Sequence, residues 1–331
     1  MDPVSHVAFG RTLIALDSGR RLGPGAIAAC LAGSLSPDLD AVFMPIGWDI
    51  YLLRHQGGTH SLIGSLGCAA LTAAAIRLRW KSGNYRSLVL AAWAGAVGHL
   101  VLDLISGADL RLLWPVGPRV AAPLFAMADP WLGGILLLGI VALVLRRYDQ
   151  RRTASVVLVT MAIFTAGKVA LYARARALNN RSDSSVQSTR ADVEWGSLAR
   201  WIVYEARADT VTARRVNAVI GTVTPLLQES RGLQDPLVMR SPQLDTVRNF
   251  LAAHDITFAI VSGDRQRVLW SDLRYCGPVR VRSAPWAPPV LTNISAGSCA
   301  LWVGGEFDPP TGVPLSAVVY IGQFVQRRPV H

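Results

Sequence analysis

The chain has 331 residues, of which 51% are hydrophobic and only 17% charged, with a formal net charge of +11. The length allows about two domains, and the charged fraction, against about 25% in an average soluble protein, argues against a wholly water-soluble chain. The basic residues of the first half lie in short clusters between apolar runs, not in a stripe or an arm, which speaks against nucleic-acid binding and for membrane topology signals.

The opening MDPVSHVAFGRTLIALDSGRR lacks a basic n-region, and His6 and Arg11 interrupt its apolar stretch, so no cleavable signal peptide is expected. A short helix over 4–16 is followed by apolar stretches at 24–36, 61–78, 88–106, 131–145 and 154–173. The stretches 88–106 and 154–173 approach the roughly 20 residues that cross a bilayer, whereas 24–36 and 131–145 need tilt or local thinning. Small residues such as Gly64, Gly67, Ala91, Ala92, Gly95 and Gly98 permit close helix contact in lipid. Asp129-Pro130 reads as an N-cap followed by proline at the first helical position. If six helices alternate, one face receives Arg20, Arg21, Arg77, Arg79, Lys81, Arg86, Arg146, Arg147, Arg151 and Arg152, and the other only Arg54, Arg111 and Arg119. The positive-inside rule makes the first face cytoplasmic and places the second, with everything after the sixth helix, outside the cytoplasm.

A polar stretch, Asn179 to Ser185, marks a change of solvent. All nine acids of residues 1–173 are Asp, and the first Glu is Glu194. Beyond the linker, strands are expected at 200–207, 256–262, 267–271, 299–304 and 315–322, an amphipathic helix at 243–254, and a turn at Gly263-Asp264. In WSDLRY (270–275), Asp272 and Arg274 alternate with apolar neighbours, which favours a solvated strand face over a role capping a site; His254 and His331 read as surface residues. Cys30 and Cys68 read as packing residues in apolar helices. Cys276 and Cys299 share the outer domain, where a disulfide and two free thiols are both compatible with the sequence. The expected fold is an α-helical multi-pass membrane domain over 1–175, a linker over 176–190, and a smaller soluble α+β domain over 191–331.

Four of the six histidines, His6, His55, His60 and His99, fall in the first hundred residues. His99 and Asp103, spaced i, i+4, share one helix face. Asp38 and Asp40 are expected to close the second helix, and His55 and His60 to flank a Gly-Gly turn that opens the third. Helix alternation alone carries all of these to one side of the membrane. An Asp within an apolar run costs on the order of 2.5–3.5 kcal/mol on insertion scales, so such residues usually face a cavity and mark function. Mixed His and carboxylate donors suit Zn, Mn or Fe(II), and there are enough of them for two ions.

Four segments, SHVAFG (5–10), SPDLD (36–40), RHQGGTHSL (54–62) and GHLVLDLISG (98–107), followed by Leu113 and Pro115, resemble the YdjM-like membrane-bound metal-dependent hydrolases. The resemblance covers roughly residues 5–116. Gln56 stands where that family carries Arg, and Ser106-Gly107-Ala108-Asp109 departs from its usual Thr-x-x-Gly. The His-x-x-x-Asp helix is also similar, more distantly, to zinc-dependent phospholipase C. The resemblance implies that His6, Asp38, His60, His99 and Asp103 are metal ligands, with Zn first among the candidate ions. It leaves Asp40 as ligand, outer partner or general base, and with His55 as the catalytic pair. The expected function is hydrolysis of a phosphoester or lipid-like substrate by metal-activated water, in the inner membrane, with the site on the non-cytoplasmic face. Two other readings stay open: a structural metal site with an extracytoplasmic interaction domain, and ion or proton transport through the cluster.

Overall fold

The computed structural model describes residues 1–17, 22–81, 83–145, 149–179, 184–275, 301–308, 311–321 and 324–329. A helical region is followed by a region of two small sheets. The chain divides into two compact units, one of residues 1–41, 54–174 and 192–199, the other of 42–53, 175–191 and 200–331.

The first unit contains α1 (Pro3–Ala15), α2 (Ala26–Gly33), α4 (Leu62–Trp80), α5 (Tyr85–Ile105), α6 (Pro130–Leu145) and most of α7 (Gln150–Asn179). A short helix, α3 (Trp48–Arg54), precedes α4 and has no counterpart in the sequence reading. Among the described residues three helices, α4, α5 and α7, are long and apolar enough to cross a membrane. A fourth crossing is possible if α2 and the following 3-10 helix, Ser36–Phe43, form one span bent by 45°. At 1.5 Å per residue α6, with 16 residues, reaches about 24 Å of a hydrocarbon core near 30 Å. The helix starts follow sequence chemistry. Asp129 Oδ1 accepts from the backbone N–H groups of Trp131 and Leu132, both at 3.0 Å, and Ser61 accepts from Gly64 N at 3.0 Å.

The stretch expected as one helix over 24–36 ends instead at Gly33, and both aspartates of Pro37-Asp38-Leu39-Asp40 ride on the 3-10 helix that follows. Proline disfavours α geometry in the residue before it and lacks an N–H, so the chain tightens and turns there. This bend aims Asp38 and Asp40 back at the end of the bundle. Packing in the first unit relies on small residues. A Cβ on Gly95 would lie 2.1 Å from Cys30 O, and one on Gly33 would lie 2.1 Å from Ala92 O, so α2 and α5 approach at backbone contact. Cys30 and Cys68 are buried free thiols within this packing, as their sequence context indicated.

Residues 192–199 belong to the helical unit. Trp195 Nε1 donates to Ala128 O and Trp131 Nε1 to Gly196 O, each at 3.0 Å. Lys168, buried on α7, directs its ammonium to Ser197 O and Leu198 O, both at 3.3 Å.

The second unit holds, but for the last two residues of β1, a four-stranded sheet of β1 (Ser188–Val193), β2 (Arg200–Ala206), β3 (Thr210–Asn217) and β4 (Thr222–Ser230), in that order. A five-stranded antiparallel sheet follows: β5 (Thr257–Val261), β6 (Arg267–Asp272), β7 (Leu301–Phe307), β8 (Pro314–Ile321) and β9 (Phe324–Pro329). Helices α8 (Pro236–Arg240) and α9 (Asp245–Ala253) cover it, with Val247 and Phe250 packed on Val268, Trp270, Val303 and Phe307. The expected strands at 200–207, 256–262 and 267–271 and the helix at 243–254 recur within a few residues, and β7 and β8 cover most of the other two. Strands β3 and β4 went unread because Arg214, Arg215 and Pro225 break their apolar alternation. The Cys276–Cys299 pairing and His331 lie outside the described residues.

Two surface assignments are corrected. Asp272 is fully buried and Arg274 nearly so, the guanidinium reaching Asp272 Oδ2 at 3.1 Å. His254 is also buried, stacked on Phe250 at 4.3 Å between ring centroids, with Nδ1 3.3 Å from Asp272 Oδ2. Partners distant in sequence turned this strand's polar side inward. Burial alone would raise the Asp272 carboxyl, but Arg274 and His254 hold it below the ordinary carboxylate range.

Two predictions follow from this packing. Gly95→Ala or Gly33→Ala should destabilise the helical unit by about 1–3 kcal/mol, whereas Gly67→Ala, whose Cβ meets nothing within 4 Å, should be tolerated; thermal unfolding in detergent reads the difference. Asp272→Asn should cost about 3–5 kcal/mol at neutral pH, because it strands a buried guanidinium. Because the folded-state pKa is depressed, this stabilisation is present above the unfolded value near 3.9 and is lost as pH falls through the lower folded value. The stability gap between wild type and variant should therefore shrink in acid, as followed by tryptophan fluorescence.

Candidate metal centre

All the site residues singled out from the sequence come together at one end of the helical unit, where α4 begins and α5 ends. His99 and Asp103 project from the last turns of α5, and His6 from the first turns of α1. Asp38 and Asp40 come from the 3-10 helix, and His55 and His60 from the loop before α4. Three overlapping groups have donor atoms close enough to hold an ion: His6, His99 and Asp103; Asp38, His60 and His99; and Asp40, His55 and His60.

The innermost donors are His60 Nε2, His99 Nε2, Asp38 Oδ1 and Asp103 Oδ2. The two imidazole nitrogens are 3.3 Å apart. His99 Nε2 is 3.1 Å from Asp103 Oδ2 and 3.5 Å from Asp38 Oδ1. His60 Nε2 is 3.3 Å from Asp38 Oδ1 and 3.6 Å from Asp103 Oδ2. Bonds of about 2.0–2.1 Å to a tetrahedral ion would set neighbouring donors about 3.3–3.4 Å apart; the five distances above are of that order, and Asp38 and Asp103 fall in different ligand groups that share His99.

The outer contacts orient these rings. His99 Nδ1 lies 2.9 Å from Ser34 O, and because a carbonyl only accepts, Nδ1 carries the proton and Nε2 presents its lone pair inward. Thr59 Oγ1 donates to Asp40 Oδ2 at 3.2 Å, which leaves its oxygen to accept from His60 Nδ1 at 3.1 Å. In its neutral form His60 then also points an Nε2 lone pair inward. Two lone pairs facing at this distance repel unless a cation or a proton stands between them. Burial of His60 opposes its charge, yet the Asp38 and Asp40 carboxylates prevail and lift its pKa to about 9.

The other two groups flank this set. Asp103 Oδ1 faces the opposite way, toward His6 Nε2 at 3.3 Å and the Met1 ammonium. His6 stacks on His99 at 3.8 Å between centroids, and its buried Nδ1 has no hydrogen-bond partner. On the other side Asp40 Oδ2 bridges His55 Nδ1 at 3.0 Å and His60 Nδ1 at 3.5 Å. Side chains of His6, His60 and His99 are closed to solvent, whereas Asp38 is 40% and His55 22% exposed, so access is from their side.

Sequence reasoning missed the residues that hold the loop in place. Gln56, at φ +63°, accepts from Asp109 N through its side chain and from Arg111 N through its carbonyl, each at 3.2 Å. Leu62 N donates to Leu112 O at 3.0 Å. The Gln in the family's Arg position thus ties the His55–His60 loop to the loop after α5. Ser34 contributes only a carbonyl, for which sequence offers no signal.

An apolar helical unit with a buried His/Asp cluster at one end of its candidate spans defines a membrane protein with a potential metal centre. The model of the YdjM inner membrane protein family matches residues 1–177, and the chain belongs to that family. It is also 27% identical over 140 residues to the uncharacterized protein YfhP of Bacillus subtilis (strain 168), a match covering 40% of this chain and 43% of that protein. The chain thus aligns with less than half of that relative's length. No solved structure matches the chain.

Protons and metal compete for the same lone pairs, so metal uptake should release protons and the apparent affinity should rise with pH up to about 9, where His60 loses its proton. Calorimetry in two buffers of different ionisation enthalpy reads this. A proton count near zero at pH 7 would contradict the site as described.

Proposed function

We propose that the helical unit is a membrane-bound, metal-dependent hydrolase acting on a phosphoester or lipid-like substrate. The observation that carries the reading is the pair of imidazole nitrogens facing each other at 3.3 Å beside two carboxylates, a donor set that a cation can occupy in place of the proton they otherwise share. His60, His99, Asp38 and Asp103 would hold the first ion, with Zn favoured and Mn or Fe(II) as alternatives. Asp103, sharing its second oxygen with His6, would allow a second. A bound ion of this kind supplies Lewis acidity and an acidified water.

The chain's own groups account for the rest. Asp40 keeps His60 in the tautomer whose Nε2 faces inward, as an outer carboxylate does for metal-bound histidines generally. His55, partly open to solvent and hydrogen-bonded to Asp40 through Nδ1, is placed to accept a proton near the exposed edge of Asp38. No glutamate lies between residues 1 and 193, so an Asp or His must do the base work. The basic cluster Arg77, Arg79, Lys81 and Arg86 lies around the α4–α5 turn, at the opposite end of those spans from the site. By the positive-inside rule we place the site on the non-cytoplasmic face.

Elemental analysis of the detergent-purified protein should find about one or two equivalents of Zn, Mn or Fe, lost in Asp103→Ala and His99→Ala. His55→Ala should keep the metal and lose about 10²–10⁴-fold in turnover on a phosphoester. Folded wild-type protein, purified without chelators and free of metal, would sink the proposal. Bound metal with no hydrolysis of any phosphoester offered would leave a structural site.

A further inference from the structure

The loop after α5 joins the site to an exposed apolar tip. Its sequence from Arg111 to Arg119 is RLLWPVGPR. Leu113 is 62% exposed, Trp114 44% and Val116 89%. Large apolar residues exposed together need an account when they are contiguous. The loop is firmly based, because Arg111 N and Leu62 N close backbone bonds between it and the ligand loop, and Leu110 and Val120 pair as an isolated antiparallel bridge. A Cβ on Gly58 would meet the Trp114 ring at 3.9 Å, so the indole covers the Gly-Gly turn between His55 and His60.

The position of this tip decides what it meets. It follows the end of α5 and bonds to the start of α4, so it sits where two candidate spans end. Tryptophan flanked by arginines is the composition of a bilayer interface, with the indole at headgroup level and the guanidinium groups toward phosphates. Arg111 and Arg119 bracket the tip, and Arg54 stands exposed before the ligand loop. His99 lies six residues from the end of α5, about 9 Å along the helix, so the metal centre is close to the boundary between headgroups and acyl chains.

We infer that the 111–119 loop is an interfacial anchor: Leu113, Trp114 and Val116 insert among phospholipid headgroups, and Arg111 and Arg119 bind lipid phosphates. Resting on the hydrolase reading, the substrate class is then a membrane-resident amphiphile whose phosphoester group reaches Asp38 and His55 while its chains stay in the bilayer.

The test uses the full chain reconstituted into phosphatidylcholine vesicles containing anionic phospholipid. The tryptophan emission lost in Trp114→Phe isolates the Trp114 signal. That signal should be quenched by lipids brominated high on the acyl chain and spared by aqueous iodide. Quenching by iodide, or by neither agent because protein covers the ring, overturns the anchor. Val116→Asp, at a residue without a packing role, should weaken the bromolipid quenching while metal content is kept, which separates loss of the anchor from misfolding. Hydrolysis of a phosphoester lipid in vesicles should fall in Val116→Asp, while hydrolysis of a short-chain soluble analogue stays unchanged; equal loss on both overturns the substrate class. Absence of any hydrolysis in wild type would instead be a failure of the hydrolase reading, and Trp114 quenching would still decide the anchor.

Discussion

Charged and ionisable groups buried at the end of an apolar helical unit can persist only if each finds a partner, and that constraint organises the first half of this chain. Asp103 lies on a helix otherwise composed almost wholly of apolar and small residues, and it is matched on one oxygen by His99 and His60 and on the other by His6. Desolvation would otherwise cost several kcal/mol per charge. Segments from different parts of the helical unit meet that demand together. The bend after α2 delivers Asp38, the loop before α4 delivers His60, and the first helix delivers His6. Between the inward-facing nitrogens of His60 and His99, 3.3 Å apart, a proton or a cation meets the same demand.

The same constraint explains why the supporting residues are polar but small. Thr59, Asp40 and the Ser34 carbonyl serve ring orientation, each fixing which imidazole nitrogen faces inward. Gln56 holds the ligand loop against the loop after α5 while accepting a left-handed backbone angle that few residues other than glycine adopt. In the YdjM-like pattern this position is an Arg. Here its carbonyl and side-chain oxygen are spent on the backbone N–H groups of Arg111 and Asp109.

The second unit obeys an analogous rule on another scaffold. Asp272 and Arg274 alternate along a strand in a way that, read locally, describes a solvated face. Instead His254, brought over from the end of α9, and the covering aromatic rings close that side, and the ion pair is retained inside.

Local pattern determined what could be read from the sequence alone. The apolar runs, the i, i+4 spacing of His99 and Asp103, the proline and aspartate at the start of α6 and the alternation of β2, β5 and β6 are properties of neighbouring residues, and they identified the membrane region, the sheet-containing region and the histidines and aspartates that cluster at the end of the spans. Tertiary structure decided the rest because it depends on partners far apart in the chain. It broke the second helix at Gly33, turned Asp272 inward and supplied the Ser34 carbonyl and the Gln56 tie. It also set which nitrogen of each histidine faces the centre. Which way a buried polar atom points is fixed by the one donor or acceptor that reaches it, and no local periodicity encodes that.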